Sequence, residues 1–192
     1  KTTKTLVKRG VTELVTPGVA TNDKLLDHKT NNFLSAVCFE KSGIGLALLD
    51  VSTGEFVVTE GSADYIEKLL QSLRPSEVLV PKNKVKEFNQ HFGSKFYTYP
   101  MEDWVFAYDF TREKLLHHFS TNSLKGFGME EMKAATIAAG SALHYLGETE
   151  HKKLEHITGI SKFAHEKHVW LDRFTIRNLE LLYPMHEGGT PP

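Results

Sequence analysis

The sequence predicts a mixed α/β fold, a five-stranded, partly antiparallel sheet with helices on its faces, followed by a short piece of a mainly helical unit. Three observations carry that prediction. Three β-like segments follow one another with three-residue, glycine-bearing connections. The apolar period then switches to that of a helix. Beyond it comes Val78-Leu79-Val80, a short apolar run that a chain leaving the third strand reaches only through the helix. That crossover makes the run a strand parallel to a neighbour.

Element by element, Val11 to Val15 reads as a short strand stopped by Thr16-Pro17-Gly18, because proline has no ladder donor. Asp23 to Lys29 is a polar loop or helical turn. The meander runs Phe33 to Phe39, Ile44 to Val51 and Glu55 to Glu60, turning at Lys41-Ser42-Gly43 and Ser52-Thr53-Gly54. Its middle strand is apolar at nearly every position and therefore central, covered on both faces. Ser62 caps the first helix, Asp64 suits its first turn, and Ile66, Leu69, Leu70 and Leu73 form its apolar stripe. Arg74-Pro75 ends it. Lys84 to His91 is a weaker helix and Lys95 to Tyr99 a short strand.

The order β-β-β-α-β-α-β is that of the ribonuclease H-like fold. Two helices follow, one capped by Asp109 with Leu115, Leu116 and Phe119 facing the sheet, the other spanning Glu130 to Leu146 and ended by Gly147. The second carries Ala134, Ala135, Ala138, Ala139 and Ala142. Gly140 inside it costs roughly 1 kcal/mol against alanine, so another backbone should approach closely there. Ile157 to Ala164 and Lys167 to Leu171 are strand-like, and Asp172 caps a helix running to Leu182. Residues 1–150 form the α/β domain. Residues 151–192 are too few for a core of their own and read as the start of a second domain.

Composition bounds the function. The chain has 192 residues, 40% hydrophobic and 24% charged, which excludes disordered and collagen-like classes. Lys and Arg number 23 against 24 acids, so a protein that coats DNA through counterion release is not expected. No apolar stretch is long enough for a membrane span, and the first ten residues lack the apolar core of a signal peptide. A lone Cys38 in an apolar run reads as a core residue and fits a reducing cytosol. A start at Lys1 rather than Met and an end in Gly188-Gly189-Thr190-Pro191-Pro192 suggest a fragment of a longer chain.

Catalytic motifs are scarce. No phosphate loop and no G-x-G-x-x-G occur. The histidine pairs His117-His118 and His165-Glu166-Lys167-His168 lack zinc-chelating spacing and read as surface or interface residues. Asp50 is the one serious candidate, since a metal-dependent ribonuclease H-like nuclease would need an acid near it in a two-metal cluster. Standing before Ser52-Thr53-Gly54, however, it more simply forms a turn, and Glu55, Glu60, Asp64 and Glu67 are scattered. Lys1, Lys4, Lys8 and Arg9 make a short basic arm that reads as a solvated terminus. Tyr97, Tyr99 and Trp104 alternate as core strand residues would.

Val15-Thr16-Pro17-Gly18, Leu25-Leu26-Asp27, Gly43-Ile44-Gly45-Leu46-Ala47, Leu49-Asp50-Val51-Ser52-Thr53-Gly54-Glu55-Phe56, Arg74-Pro75-Ser76-Glu77, Gly126-Phe127-Gly128, Ala138-Ala139-Gly140 and Arg177-Asn178-Leu179-Glu180 appear in that order. With them the chain resembles the MutS family of DNA mismatch-repair proteins, from about Lys8 to Leu181. The resemblance covers that family's connector domain and the first stretch of its core, or lever, domain. It implies a non-catalytic connector of ribonuclease H-like fold, with no cofactor or metal of its own. It also implies a docking surface for MutL on the helix Thr111 to Phe119, ahead of Phe119-Ser120-Thr121, with Glu113 and Lys114 as the positional carry-over. The family's Phe-x-Glu mismatch reader is absent here, as is its phosphate loop. Mismatched duplex DNA, ATP and Mg²⁺ would then be bound by other domains of a full-length, homodimeric, cytoplasmic protein. The Ala-rich helix would pack where the connector meets the core.

Overall fold

A computed structural model of the chain describes residues 33–149 and 154–163. Its elements are β1 (Phe33–Glu40), β2 (Gly43–Asp50), β3 (Phe56–Gly61), α1 (Ala63–Leu73), β4 (Glu77–Pro81), α2 (Val85–Phe92), β5 (Thr98–Met101), α3 (Tyr108–His118), α4 (Lys133–Thr149) and β6 (Ser161–Lys162). The expected strands at Val11 to Val15 and Lys167 to Leu171, the loop at Asp23 to Lys29 and the helix from Asp172 lie outside the described residues.

The strands form one mixed sheet in the order β5-β4-β1-β2-β3-β6. β1, β2 and β3 pair antiparallel as the expected meander, in which Ala36 faces Ala47 and Leu48 faces Val57. β4 lies parallel to both β1 and β5, as the crossover through α1 requires. The sixth strand adds to the five expected. It falls within the strand-like piece at Ile157 to Ala164 and runs parallel to β3.

Side chains alternate cleanly between two cores. Leu34, Ala36, Cys38, Ala47, Leu49, Val58 and Leu79 face α3 and α4. Phe33, Val37, Leu46, Leu48, Val78 and Val80 face α1 and α2, where they meet Ile66, Leu70, Phe88 and Phe92. β2 is therefore buried on both sides, the reason for its unbroken apolar sequence. The first helix begins where expected, with Ser62 Oγ accepting from Tyr65 N at 3.4 Å. It ends at Arg74, which takes a left-handed conformation, φ 43°.

Several expected boundaries shift for identifiable reasons. β5 lies at Thr98–Met101 rather than Lys95 to Tyr99, because Thr98 is the residue that pairs with Val78. Pro100 is accepted within it as an edge strand, where the missing N–H need not serve a ladder. Asp109 does not cap α3: Ala107 holds that position, and Thr111 Oγ1 bonds back to the carbonyls of Ala107 and Tyr108, both at 2.9 Å. α4 starts at Lys133 and passes through Gly147 to Thr149, whose hydroxyl donates to Tyr145 O at 2.8 Å.

Glycine explains how α4 sits. A Cβ on Gly45 of β2 would lie 2.1 Å from the Ala134 carbonyl carbon, and one on Gly140 would lie 2.4 Å from Thr111 Cβ and 2.6 Å from Thr111 Cα. The expected close approach at Gly140 is thus to α3. Among the described residues the Ala-rich helix packs on the sheet and on α3. Glu60 Oε2, from β3, accepts from Ala135 N at 3.1 Å and satisfies a first-turn donor of α4.

Gly45→Ala and Gly140→Ala should each lower the unfolding free energy by about 1–3 kcal/mol through overpacking, seen as a fall of several degrees in Tm. Gly126→Ala, where a Cβ meets nothing within 4 Å, should leave Tm almost unchanged. Burial pushes the Cys38 thiol up to about 12, with Glu40 adding to the shift. Its folded pKa exceeds its unfolded one, so the folded state holds the proton longer and stability falls as pH rises from about 9 toward 12. Disulfide-exchange reagents at pH 8 should label Cys38 only as fast as the chain opens, and at once in urea.

Candidate functional site

Asp50 closes β2 and its carboxylate is used by the turn that follows. Oδ1 accepts from Ser52 N at 2.8 Å, Ser52 Oγ at 2.6 Å and Thr53 N at 3.2 Å. The backbone closes the same turn, Gly54 N donating to Asp50 O at 2.8 Å and Asp50 N to Glu55 O at 2.9 Å. Of the other acids, Glu60 serves α4, Asp64 lies in the first turn of α1 and Glu67 accepts from Gln71 Nε2 at 2.6 Å. No group of three or more His, Cys, Asp or Glu side chains converges as a metal site among the described residues. Asp50 is thereby a turn-forming side chain, the arrangement its Ser-Thr-Gly context predicts.

The chemistry available lies instead on the outer face of α3 and α4. Leu115 and Thr111 point inward and are fully buried, leaving Glu113 and His117 exposed one turn apart. Lys114 is half-buried and lies along α4, its Nζ 3.8 Å from where a Cβ on Gly147 would stand. Both expected partner-binding residues are therefore on the surface, Glu113 toward solvent and Lys114 toward the seam between the two helices. α3 ends in a Schellman turn. Ser120 sits at φ 50°, its N–H reaching His117 O at 3.2 Å, while Thr121 N reaches Leu116 O at 3.0 Å.

Beside Lys114 is a cluster that alternation along the chain does not reveal. Trp104 is 56% exposed and stacks edge-on against Phe110 at 5.0 Å and His144 at 5.4 Å, while Phe110 and His144 meet at 5.2 Å. Tyr97 is equally exposed, and Tyr99 is half-buried against Tyr145 at 5.1 Å. The expectation that these aromatics are core strand residues is corrected for Tyr97 and Trp104. Tyr97 precedes β5, and Trp104 lies in a single 3-10 turn, Asp103–Phe106, where a period of two does not apply. The His144 imidazole is held below its usual pKa, first by partial burial and then by the Lys114 charge, with Glu148 opposing.

The Schellman turn also borders an open groove of about 500 Å³ formed by His118, Phe119, Ser120, Leu154, Ile157 and Thr158. His118 Nε2–H donates across to Ile157 O at 2.8 Å, and Phe119 packs on Phe127 at 4.9 Å. His117 and His118 are thus a surface and a bridging residue, as their spacing suggests. The His165-Glu166-Lys167-His168 run and the basic arm Lys1, Lys4, Lys8 and Arg9 lie outside the described residues. No helix among the described residues is long and apolar enough to cross a membrane.

Comparison with known proteins places this geometry. Residues 32–158 match the family model MutS domain II. The chain is 58% identical over 183 residues to a protein of Flavobacterium johnsoniae named DNA mismatch repair protein MutS, covering 95% of this chain and 21% of that protein. It is 55% identical over 191 residues to the protein of the same name from Cytophaga hutchinsonii, and 53% identical over 190 residues to that from Bacteroides fragilis. Those matches take in 100% and 99% of this chain, and 22% of each relative. The chain spans about a fifth of the length of the curated relatives it matches.

Asp50→Ala should lower the unfolding free energy by about 1–3 kcal/mol, because three donors in one turn lose their acceptor. Chemical denaturation measures it. Lys114→Gln should raise the His144 pKa, since it removes a repelling charge and leaves the ring's burial intact. An NMR titration of the His144 ring gives the sign directly.

Proposed function

The chain belongs to the MutS family of DNA mismatch-repair proteins, through that family's domain II, and on that premise we propose that it acts as a non-catalytic connector. Its task is mechanical and recognitional: to join the mismatch-reading part of the whole protein to the lever and ATPase parts, and to present a docking surface for MutL. The observation that carries this reading is the exposed face of α3 and α4, where Glu113, Lys114 and Trp104 stand on a rigid, doubly covered sheet. A side chain on such a base loses little entropy when a partner closes over it. Trp104 is the residue type most often found at the energetic centre of an interface, and the Glu113 and Lys114 charges set orientation around it.

The reading assigns no reaction and no bound cofactor to this chain. ATP, Mg²⁺ and mismatched duplex DNA belong to other parts of a homodimeric, cytoplasmic protein, and their coupling to this domain is a rigid-body movement. The domain extends through Phe163 in this view. Ile157 and Ile160 are buried in the core that faces α4, and Phe163 N donates to Val58 O at 2.8 Å.

Binding of the MutL N-terminal domain, followed by calorimetry or surface-based kinetics, tests the reading. Glu113→Lys with Lys114→Glu should weaken binding severalfold, and Trp104→Ala by roughly tenfold or more. Both variants change exposed or half-exposed positions and should keep the wild-type Tm. Undiminished binding by both would move the docking surface away from α3.

A further inference from the structure

The exposed Tyr97 belongs to a second feature, on the opposite side of the sheet from α3 and α4. The C-terminal end of α1 and the segment entering β5 form an open groove of about 570 Å³ lined by Arg74, Lys95, Tyr97, Gln71 and Ser76, together with Pro75 and Phe96. That volume is within the range of small-ligand sites. Two of its lining residues are cationic and none is acidic. Neither Arg74 nor Lys95 forms an ion pair with a carboxylate among the described residues. The acids nearest in sequence to the helix end are engaged elsewhere: Glu77 is buried and accepts from the Tyr145 hydroxyl at 3.2 Å, and Glu67 accepts from the Gln71 amide.

The backbone beneath these side chains is fixed. Arg74 N donates to Leu70 O at 3.0 Å, Ser76 N to Phe33 O at 3.0 Å, and Val78 N to Tyr97 O at 2.9 Å. Phe96 packs edge-on against the buried Phe88 at 6.1 Å, and Lys95 Nζ lies 5.4 Å from the Phe96 ring centroid. Arg74 occupies the left-handed helix-end position usually given to glycine, φ 43°, so a long cation stands where a side chain is least economical. The ring of Tyr97, 56% exposed, therefore stands on a braced loop beside two cations.

We propose that this groove binds a nucleotide unit of single-stranded nucleic acid, its phosphates on Arg74 and Lys95 and its base stacked on Tyr97. The guanidinium fork of Arg74 suits two phosphate oxygens, Lys95 adds a point charge, and an exposed aromatic ring accepts any base by its π-face. The α1 C-terminus points carbonyls of opposite sign toward the same region, so the two side-chain cations carry the attraction. Binding is consequently modest, insensitive to sequence and strongly dependent on salt. A near-neutral chain holds such a site because the charge is local. The proposal is independent of MutL docking, which uses the other face of the sheet.

Fluorescence anisotropy of a labelled oligothymidylate, titrated with the whole 192-residue chain at low salt, tests it. Two phosphate contacts predict a slope of about −1.4 for log affinity against log salt. Arg74→Glu with Lys95→Glu should weaken binding by roughly tenfold or more, and Tyr97→Ala by about fivefold or more, with Tyr97→Phe near wild type. An abasic oligomer should bind the wild type as the thymidylate binds Tyr97→Ala. All three positions are solvent-facing, and an unchanged Tm confirms that each variant is folded. Displacement by thymidine monophosphate shows that one nucleotide fills the groove; failure to displace shows that adjacent phosphates of a strand are needed, and both support the site. Wild-type affinity in the charge-reversed variant overturns it, especially where neutralising Lys1, Lys4, Lys8 and Arg9 abolishes binding. Wild-type affinity in Tyr97→Ala also overturns it, since two cations alone hold any polyanion, and so does no binding by the wild type at low salt.

Discussion

The position of one helix governs the rest of the domain, and that position is set by the absence of side chains. α4 lies so close to the sheet that the Ala134 backbone fills the space a Gly45 side chain would need, and so close to α3 that Thr111 fills the space above Gly140. Alanines between these points keep the separation uniform, and almost every residue of α4 is buried. The surface features inherit their placement from this contact. Ser141 Oγ donates within hydrogen-bond range of both Ile137 O at 2.8 Å and Val105 O at 3.1 Å, tying the 3-10 turn that carries Trp104 to the helix. Trp104, Phe110 and His144 come from three different elements and meet because α4 cannot sit elsewhere.

A second set of ties fixes the segment after α4. The His156 ring donates to Val51 O at 2.8 Å, His118 reaches Ile157 O, and β6 extends the sheet beyond β3. Gly54 completes the joint, since a Cβ there would lie 2.5 Å from His156 O and the residue has φ 77°. The turn stabilised by Asp50 thus serves as a seat for the segment that follows α4. A displacement applied to residues 154–163 passes to β2 and β3 through several hydrogen bonds and two buried isoleucines, rather than being absorbed by a loose linker. Rigid transmission of that kind suits a connector better than a deformable catalytic cleft would.

Much of this was legible from the residues. The meander, the crossover into β4, the Ser62 cap and the close approach at Gly140 all rest on short-range rules, namely alternation, capping and the cost of a helical glycine. Asp50 could be weighed correctly because turn chemistry is local and metal chemistry requires convergence. What escaped depends on tertiary geometry. Gly147 reads as a helix stop, yet the helix continues because Tyr145, Leu146 and Thr149 remain buried on the sheet side. Trp104 and Tyr97 obey an alternation that applies only in a strand, and neither is in one. Their exposure becomes visible only when β5 is seen to begin at Thr98.

The net charge of −1 conceals an uneven distribution. Lys82 pairs with Glu102, Lys84 with Glu87 and Lys133 with Glu40, so these three charges are neutralised locally. Exposed pairs of this type add little to stability, typically under about 1 kcal/mol each. Their larger effect is on the field, because each pair removes a charge that would act at a distance comparable to the screening length, about 8 Å at physiological salt. Arg74 and Lys95 have no such compensation among the described residues and stand next to an exposed tyrosine. A protein can be neutral in total and still direct a local positive potential at one groove.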